Sequence, residues 1–220
     1  MGSPSLFQMP SPEVKMVRRK APKASILLAA LAVFSAVLPG SIAGQDLWLD
    51  SGVSFPTGRF GGYAGSGWLL MVGGSLPLEG RPRLGVAAEV FRGGHGLDLP
   101  GDKATLLGGL VGLEYQPETR LSGTVVVLAE FGFLKRKEES RHSSLFNSDD
   151  SGLAFTAGAR YCVPLMAVQG CVAGRLLGGL VGGADGNPTV LSLTAGVRVP
   201  LDLILKPGEG RSSPIGPPPP

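Results

Sequence analysis

The stretch TAGARYCVPL at residues 156–165 returns, shortened, as TAGVRVPL at 194–201. Read at alternate positions, the first copy separates Ala157, Ala159, Tyr161, Val163 and Leu165 from Thr156, Gly158, Arg160 and Cys162. The second separates Ala195, Val197, Val199 and Leu201 from Thr194, Gly196 and Arg198. Period-two alternation is the pattern of a strand whose faces meet different surroundings. One face is apolar throughout; the other is small, with a single arginine.

The same alternation extends outward in both directions. Eight segments read as strands: 46–56, 66–78, 83–92, 103–116, 121–134, 152–165, 168–181 and 189–201. No run of helical 3.6-residue periodicity competes with them. "EGRP", "PETR" and "MA" close three hairpins tightly, whereas "TGRFGGYAG", "GGHGLDLPGD", "KRKEESRHSSLFNSDD" and "GGADGNP" make longer connections. Short connections on one side and long ones on the other, with strands near 9–11 residues, predict an all-β, antiparallel up-and-down transmembrane β-barrel of eight strands. Proline stands at the foot of each even strand, at Pro77, Pro117, Pro164 and Pro200, where a residue that cannot donate to a ladder is tolerated.

The parity test collects one set of charges on the small face. It gathers Asp50, Glu89, Glu114 and Glu130 from the first, third, fourth and fifth strands, and Arg160, Arg175 and Arg198 from the last three. Strand 4 carries an acidic version of the repeated phrase, "VGLEYQP", aligned on Gly112, Glu114 and Tyr115. If the apolar face meets lipid, four acids and three arginines line a narrow interior, where pairing offsets their desolvation. The alternative is a soluble lipocalin-like barrel binding an apolar ligand, with leucines inside and charges outside. Against it, a solvated face carries several charged or Thr residues per strand, and this one is mostly Gly, Ala and Ser. Trp68, Tyr115, Phe133 and Tyr161 also fall on the apolar parity near strand ends, as an interfacial girdle requires.

The barrel reading covers residues 44–205. Residues 1–43 read as a signal peptide: a basic start, an apolar run from Ala24 to Leu38, a Pro-Gly break, and Ser41 and Ala43 placed as at a cleavage site. Met16 is a candidate start, with 1–15 an artefact of the start site. The apolar run is shorter than the roughly 20 residues of a spanning helix. Of the 20 basic and 17 acidic residues, five and one lie in 1–43, so 15 and 16 remain and the net +3 becomes −1. That balance gives no footprint for nucleic acid. Residues 206–220 form a Pro-rich tail with no apolar face, expected to be disordered.

A two-residue turn at Met166–Ala167 sets Cys162 directly opposite Cys171, both on the inward parity, so the pair is a candidate disulfide in an oxidising compartment. His95 and His142 fall in long connections without ligand or triad spacing, and are expected on the solvated surface. No pattern calls for a metal or another cofactor. "GGYAGSG" and "GGLVGG" lack the following helix that a phosphate loop needs. "HSS" at 142–144 is similar to the His-x-Ser of outer-membrane lipid A deacylases, but it lies in a charged connection and no glutamate follows at a useful distance. The run "KRKEESR" is expected at the outer rim, facing lipopolysaccharide phosphates or an extracellular partner through the 135–150 loop.

On its strand pattern, signal peptide and acid/arginine interior, the chain resembles the small outer-membrane β-barrel proteins of Gram-negative bacteria, such as the barrel domain of outer-membrane protein A and its shorter relatives. The resemblance covers about 45–202. It implies insertion by the barrel assembly machinery, contact with outer-membrane lipid, and a structural, adhesive or limited-permeation role that is not enzymatic. The chain departs from the family at its end. The last strand runs "VRVPLDLIL" into a proline-rich tail, where the family finishes on an aromatic residue.

Overall fold

The computed structural model describes residues 45–142, 147–181 and 187–205. Its strands are β1 (Asp46–Thr57), β2 (Ala64–Leu78), β3 (Arg81–Leu97), β4 (Lys103–Tyr115), β5 (Thr124–Glu139), β6 (Ser148–Leu165), β7 (Val168–Val181) and β8 (Thr189–Pro200). Two short helices join them: α1 (Gly58–Gly61) follows β1 and α2 (Leu201–Leu205) follows β8. Each strand pairs antiparallel with the next, and β8 returns to β1, from Asp46↔Pro200 to Thr57↔Thr189. The sheet therefore closes and leaves no edge.

The apolar parity faces outward. Phe131 and Leu153 are about two-thirds exposed, at 67% and 66%, and Leu49, Val72, Leu113, Val127, Leu180 and Leu193 are exposed beside them. The small, charged parity faces inward, so the soluble inverted arrangement is not the one adopted. Trp68, Tyr115 and Phe133 stand exposed on the outer face, with Tyr161 partly buried there.

The repeated glycine has a packing reason. Gly158 pairs with Arg175 and Gly196 with Asp50, and a Cβ at either glycine would overlap the partner strand's backbone and its charged side chain. In both copies of the phrase the glycine makes room for a neighbour's charge, while the arginine two residues on enters the interior itself.

Several boundaries differ from the sequence reading. β3 continues to Leu97, β5 continues to Glu139 and β6 begins at Ser148, so the expected 135–150 loop shrinks to 140–147. The charged run KRKEE is strand, because a ladder needs only backbone groups and the inward parity of β5 continues through Arg136 and Glu138. The expected tight turn at "PETR" is instead a longer connection spanning 116–123, whereas the expected long one after β3 is only 98–102. Connection length thus does not separate the two ends cleanly. β8 stops at Pro200, which cannot extend the ladder, and Leu201 opens a helix rather than ending the strand. Residues 1–43, with the expected signal peptide, and the 206–220 tail lie outside the described residues.

Candidate functional site

Inward-facing side chains stack in levels that follow chain order along each strand. At the end where 79–80 and 166–167 turn the chain, Arg198 of β8 gathers a cluster. Its Nε donates to Asp46 Oδ2 at 3.0 Å, and its Nη2 donates to Glu114 Oε1 at 2.9 Å and to Ser75 Oγ at 3.1 Å. β1, β2, β4 and β8 all contribute, so one guanidinium ties together strands from opposite sides of the barrel.

The next level holds the densest charge. Arg160 Nη2 of β6 donates to Asp50 Oδ2 at 2.7 Å, and Arg175 Nη2 of β7 donates to the same oxygen at 3.0 Å. Arg175 also pairs with Glu89 of β3. The Arg160 guanidinium lies over the Trp48 ring, 4.5 Å from its centroid, a cation–π contact made inside the barrel. Glu130 of β5 is buried at this level, and neither of its carboxylate oxygens has a hydrogen-bond partner. The cluster therefore sets three carboxylates against two guanidiniums.

Above it comes a level that sequence reading missed. Leu69, Met71, Phe91, Leu106, Leu110, Leu134 and Leu177 pack into one buried cluster, with Phe60 of α1 fully buried in it. Along β3 Phe91 lies between Glu89 and His95, and along β5 Leu134 lies between Glu130 and Arg136. The interior is thus apolar across this stretch rather than uniformly small.

A second polar cluster lies beyond it. Arg136 of β5 is fully buried; its Nη2 donates to Asp150 Oδ2 at 3.1 Å and its Nη1 to Tyr63 Oη at 3.3 Å, and its Nε lies 3.5 Å from Glu138 Oε1. Tyr63 Oη in turn donates to Glu138 Oε1 at 3.1 Å. His95, expected on the surface, is buried here on β3, with Nδ1 3.2 Å from the Gly65 carbonyl and Nε2 3.4 Å from Ser54 Oγ. A carbonyl can only accept, so Nδ1 carries hydrogen. Phe60 meets the ring edge-on. His142 is exposed beside the Pro100 carbonyl at 3.3 Å, and Ser143 and Ser144 of the "HSS" sequence lie outside the described residues.

Asp46, Ser54, Tyr63, Ser75, Arg136, Glu138 and Asp150 are interior polar residues that sequence reading left out, and His95 is one that it placed on the surface. A usable signal existed: Arg136 and Glu138 keep the parity of Glu130, and Asp150 keeps that of Arg160. In the connection at that end, Asp102 accepts from the Arg141 backbone N–H at 2.8 Å, which holds its carboxyl below the usual range. Cys162 and Cys171 are paired in register and joined as a disulfide. Among the described residues no group of three or more His, Cys, Asp and Glu side chains could hold a metal.

At the level of sequence, no family model and no curated protein matches the chain. Solved structures match its fold. Neisserial surface protein A is similar over 72% of this chain and 97% of its own, with a TM-score of 0.51 and 17% identity. Ail, the attachment invasion locus protein of Yersinia pestis, aligns over 70% of this chain and 97% of its own, with a TM-score of 0.47 and 13% identity. A major outer membrane protein from Thermus thermophilus aligns over 71% and 98%, with a TM-score of 0.43 and 16% identity. The chain has the fold of small eight-stranded outer-membrane barrels.

Proposed function

We propose that this chain is an outer-membrane β-barrel with a closed, salt-bridged interior and a structural or adhesive role at the cell envelope, not an enzyme. The observation that carries the proposal is the division of faces. A closed barrel exposes Leu, Val and Phe around its wall while its inward arginines are each paired with carboxylates, and that division is stable only where hydrocarbon surrounds the wall. In water so large an apolar surface would drive association.

Two features support closure over permeation. The Arg160, Arg175, Asp50 and Glu89 contacts tie β1, β3, β6 and β7 across the interior. The packed layer of Met71, Phe91, Leu106 and Leu134 then fills the section above them, so water meets an apolar barrier as well as an ionic one. On this reading Asp50, Glu89, Glu114, Arg160, Arg175 and Arg198 form the wall-to-wall braces of a plug, with Glu130 adding its charge to the middle level, and limited permeation would require the braces to exchange partners.

The outer wall suggests how the envelope is contacted. Arg92 of β3, Lys103 of β4, and Lys135 and Lys137 of β5 face outward beyond the apolar belt, at the end where α1 lies. Anionic lipid, including lipopolysaccharide phosphate, is the complementary partner, and within the 135–150 segment the outward Lys135 and Lys137 are offered to an extracellular partner. Export through residues 1–43 and insertion by the barrel assembly machinery complete the reading.

Expression of the full chain, followed by fractionation and gel mobility of boiled and unboiled samples, tests the location. A heat-dependent shift in the outer-membrane fraction is expected; a soluble protein with no shift overturns it. Single-channel recording tests closure. Wild type is expected to be silent, and a steady conductance, with Arg160→Ala raising it, would establish a transport barrel instead.

A further inference from the structure

The disulfide is buried inside the barrel and flanked by paired strands on both sides. Cys162 and Cys171 point inward and are 1% and 5% exposed. They lie on central strands of the closed sheet: Thr124 of β5 pairs with Cys162, and Gly196 of β8 pairs with Cys171. Once β5 and β8 are in place, neither sulfur can be approached through the wall of the barrel. The pair is nevertheless local in sequence, nine residues apart across the Met166–Ala167 turn. The β6–β7 hairpin alone can bring the thiols together.

The same strands have reason to need a covalent register. Gly170, Gly174, Gly178 and Gly179 on β7 remove side chains that would otherwise oppose slippage, and Gly-rich strands specify pairing weakly. The two-residue turn sets the register at a cost, since Met166 sits at φ 56°, a left-handed conformation that a non-glycine residue enters unfavourably. A slip of two residues keeps every side chain on its face but displaces one strand by roughly 7 Å. Arg160 lies two positions from Cys162, and Arg175 lies four from Cys171, so that slip would part the two guanidiniums that share Asp50. A bridge between directly opposed residues forbids it.

We propose that Cys162–Cys171 is oxidised in the unfolded, exported chain by a thiol oxidase that carries an exchangeable disulfide, before the barrel closes, and that the bond fixes the register presenting Arg160 and Arg175. The export step rests on the outer-membrane reading; the order of oxidation and closure does not. One cysteine thiolate attacks the oxidase disulfide, forming a mixed disulfide and releasing an oxidase thiolate. The second cysteine thiolate then attacks the first cysteine's sulfur and releases the other. The chain loses two protons and two electrons, and the oxidase leaves as a dithiol.

The test compares rates on the full chain with glutathione disulfide as oxidant. Reduced chain is treated either unfolded in urea or after folding into detergent micelles, with folding read by heat-modifiable mobility and bond formation by mass after alkylation. The folded, reduced barrel is expected to oxidise at least about 100-fold more slowly, because exchange requires access. Equal rates overturn the proposal. If the reduced chain does not fold, oxidation before closure is obligatory, which supports the order. The enclosure is then tested in reverse on the oxidised barrel, where reduction by dithiothreitol as fast as in the unfolded chain would overturn it. For the register, Cys162→Ser/Cys171→Ser is expected to yield several-fold less heat-shifting barrel and more compact product without the shift; wild-type yield would remove that role. A protein absent from outer membranes with these rates unchanged would sink the location alone.

Discussion

Arg175 and Arg136 each gather two carboxylates inside the same barrel, on opposite sides of the layer built from Phe91, Leu106 and Leu134. Below the layer, Arg175 meets Asp50 and Glu89, whose side chains are 1% and 0% exposed. Above it, Arg136 is equally buried, but its partners Glu138 and Asp150 are 10% and 29% exposed. The ion-pair chemistry is the same and the solvent is not. Where no water reaches, a charge left alone keeps its whole desolvation cost, whereas near the mouth water can replace a lost partner.

That difference sets the largest expected effect. Arg175→Met strands Glu89 without its guanidinium and leaves Asp50 with Arg160 only, so it should cost about 3–5 kcal/mol in urea unfolding of the refolded barrel. Arg175→Met/Glu89→Leu removes both ends and should recover most of that loss. A single variant costing under about 1 kcal/mol would mean that water enters the lower cluster, against the sealing role given to the apolar layer.

At the mouth the effect should shrink. Arg136→Met leaves Glu138 and Asp150 within reach of water and should cost about 1–2 kcal/mol, reduced further by added salt. If it proves as costly as Arg175→Met and indifferent to salt, the mouth is as dry as the middle and the contrast disappears.

The two regions also differ in how legible they were. The lower cluster lies within the apolar belt, where each inward charge stands alone among uncharged residues and parity identifies it directly. Glu89, Glu130, Arg160 and Arg175 were readable for that reason. Beyond the belt the outward positions turn polar too, as at Lys135, Lys137 and Asp149, so the contrast between faces vanishes and KRKEE reads as a loop. Only continuing the parity of Glu130 would have placed Arg136 and Glu138 inside. The inward leucines and Phe91 were harder still. In a barrel with lipid outside, both faces of those stretches are apolar, and alternation carries no signal for which side is filled. His95 was hidden by its glycine-rich surroundings, which suggested a loop where Gly94 in fact makes room for the Trp68 side chain on a neighbouring strand.

A finer contrast lies within the lower cluster, between Glu89 and Glu130. Glu89 receives a charge-assisted bond from Arg175, whereas Glu130, 4% exposed, receives no hydrogen bond at either oxygen. Glu89→Gln should therefore cost about 1.5–3 kcal/mol, the value of a hydrogen bond to a charged group. Glu130→Gln keeps the shape, loses no bond from an arginine, and brings the cluster from three carboxylates to two against two guanidiniums. It should leave stability within about 1 kcal/mol of wild type, in either direction. Urea unfolding of the two variants side by side decides the matter. An equal loss would mean that Arg160 and Arg175 hold all three acids through their field rather than two through bonds, and removing either arginine would then unbalance the whole level instead of one pair.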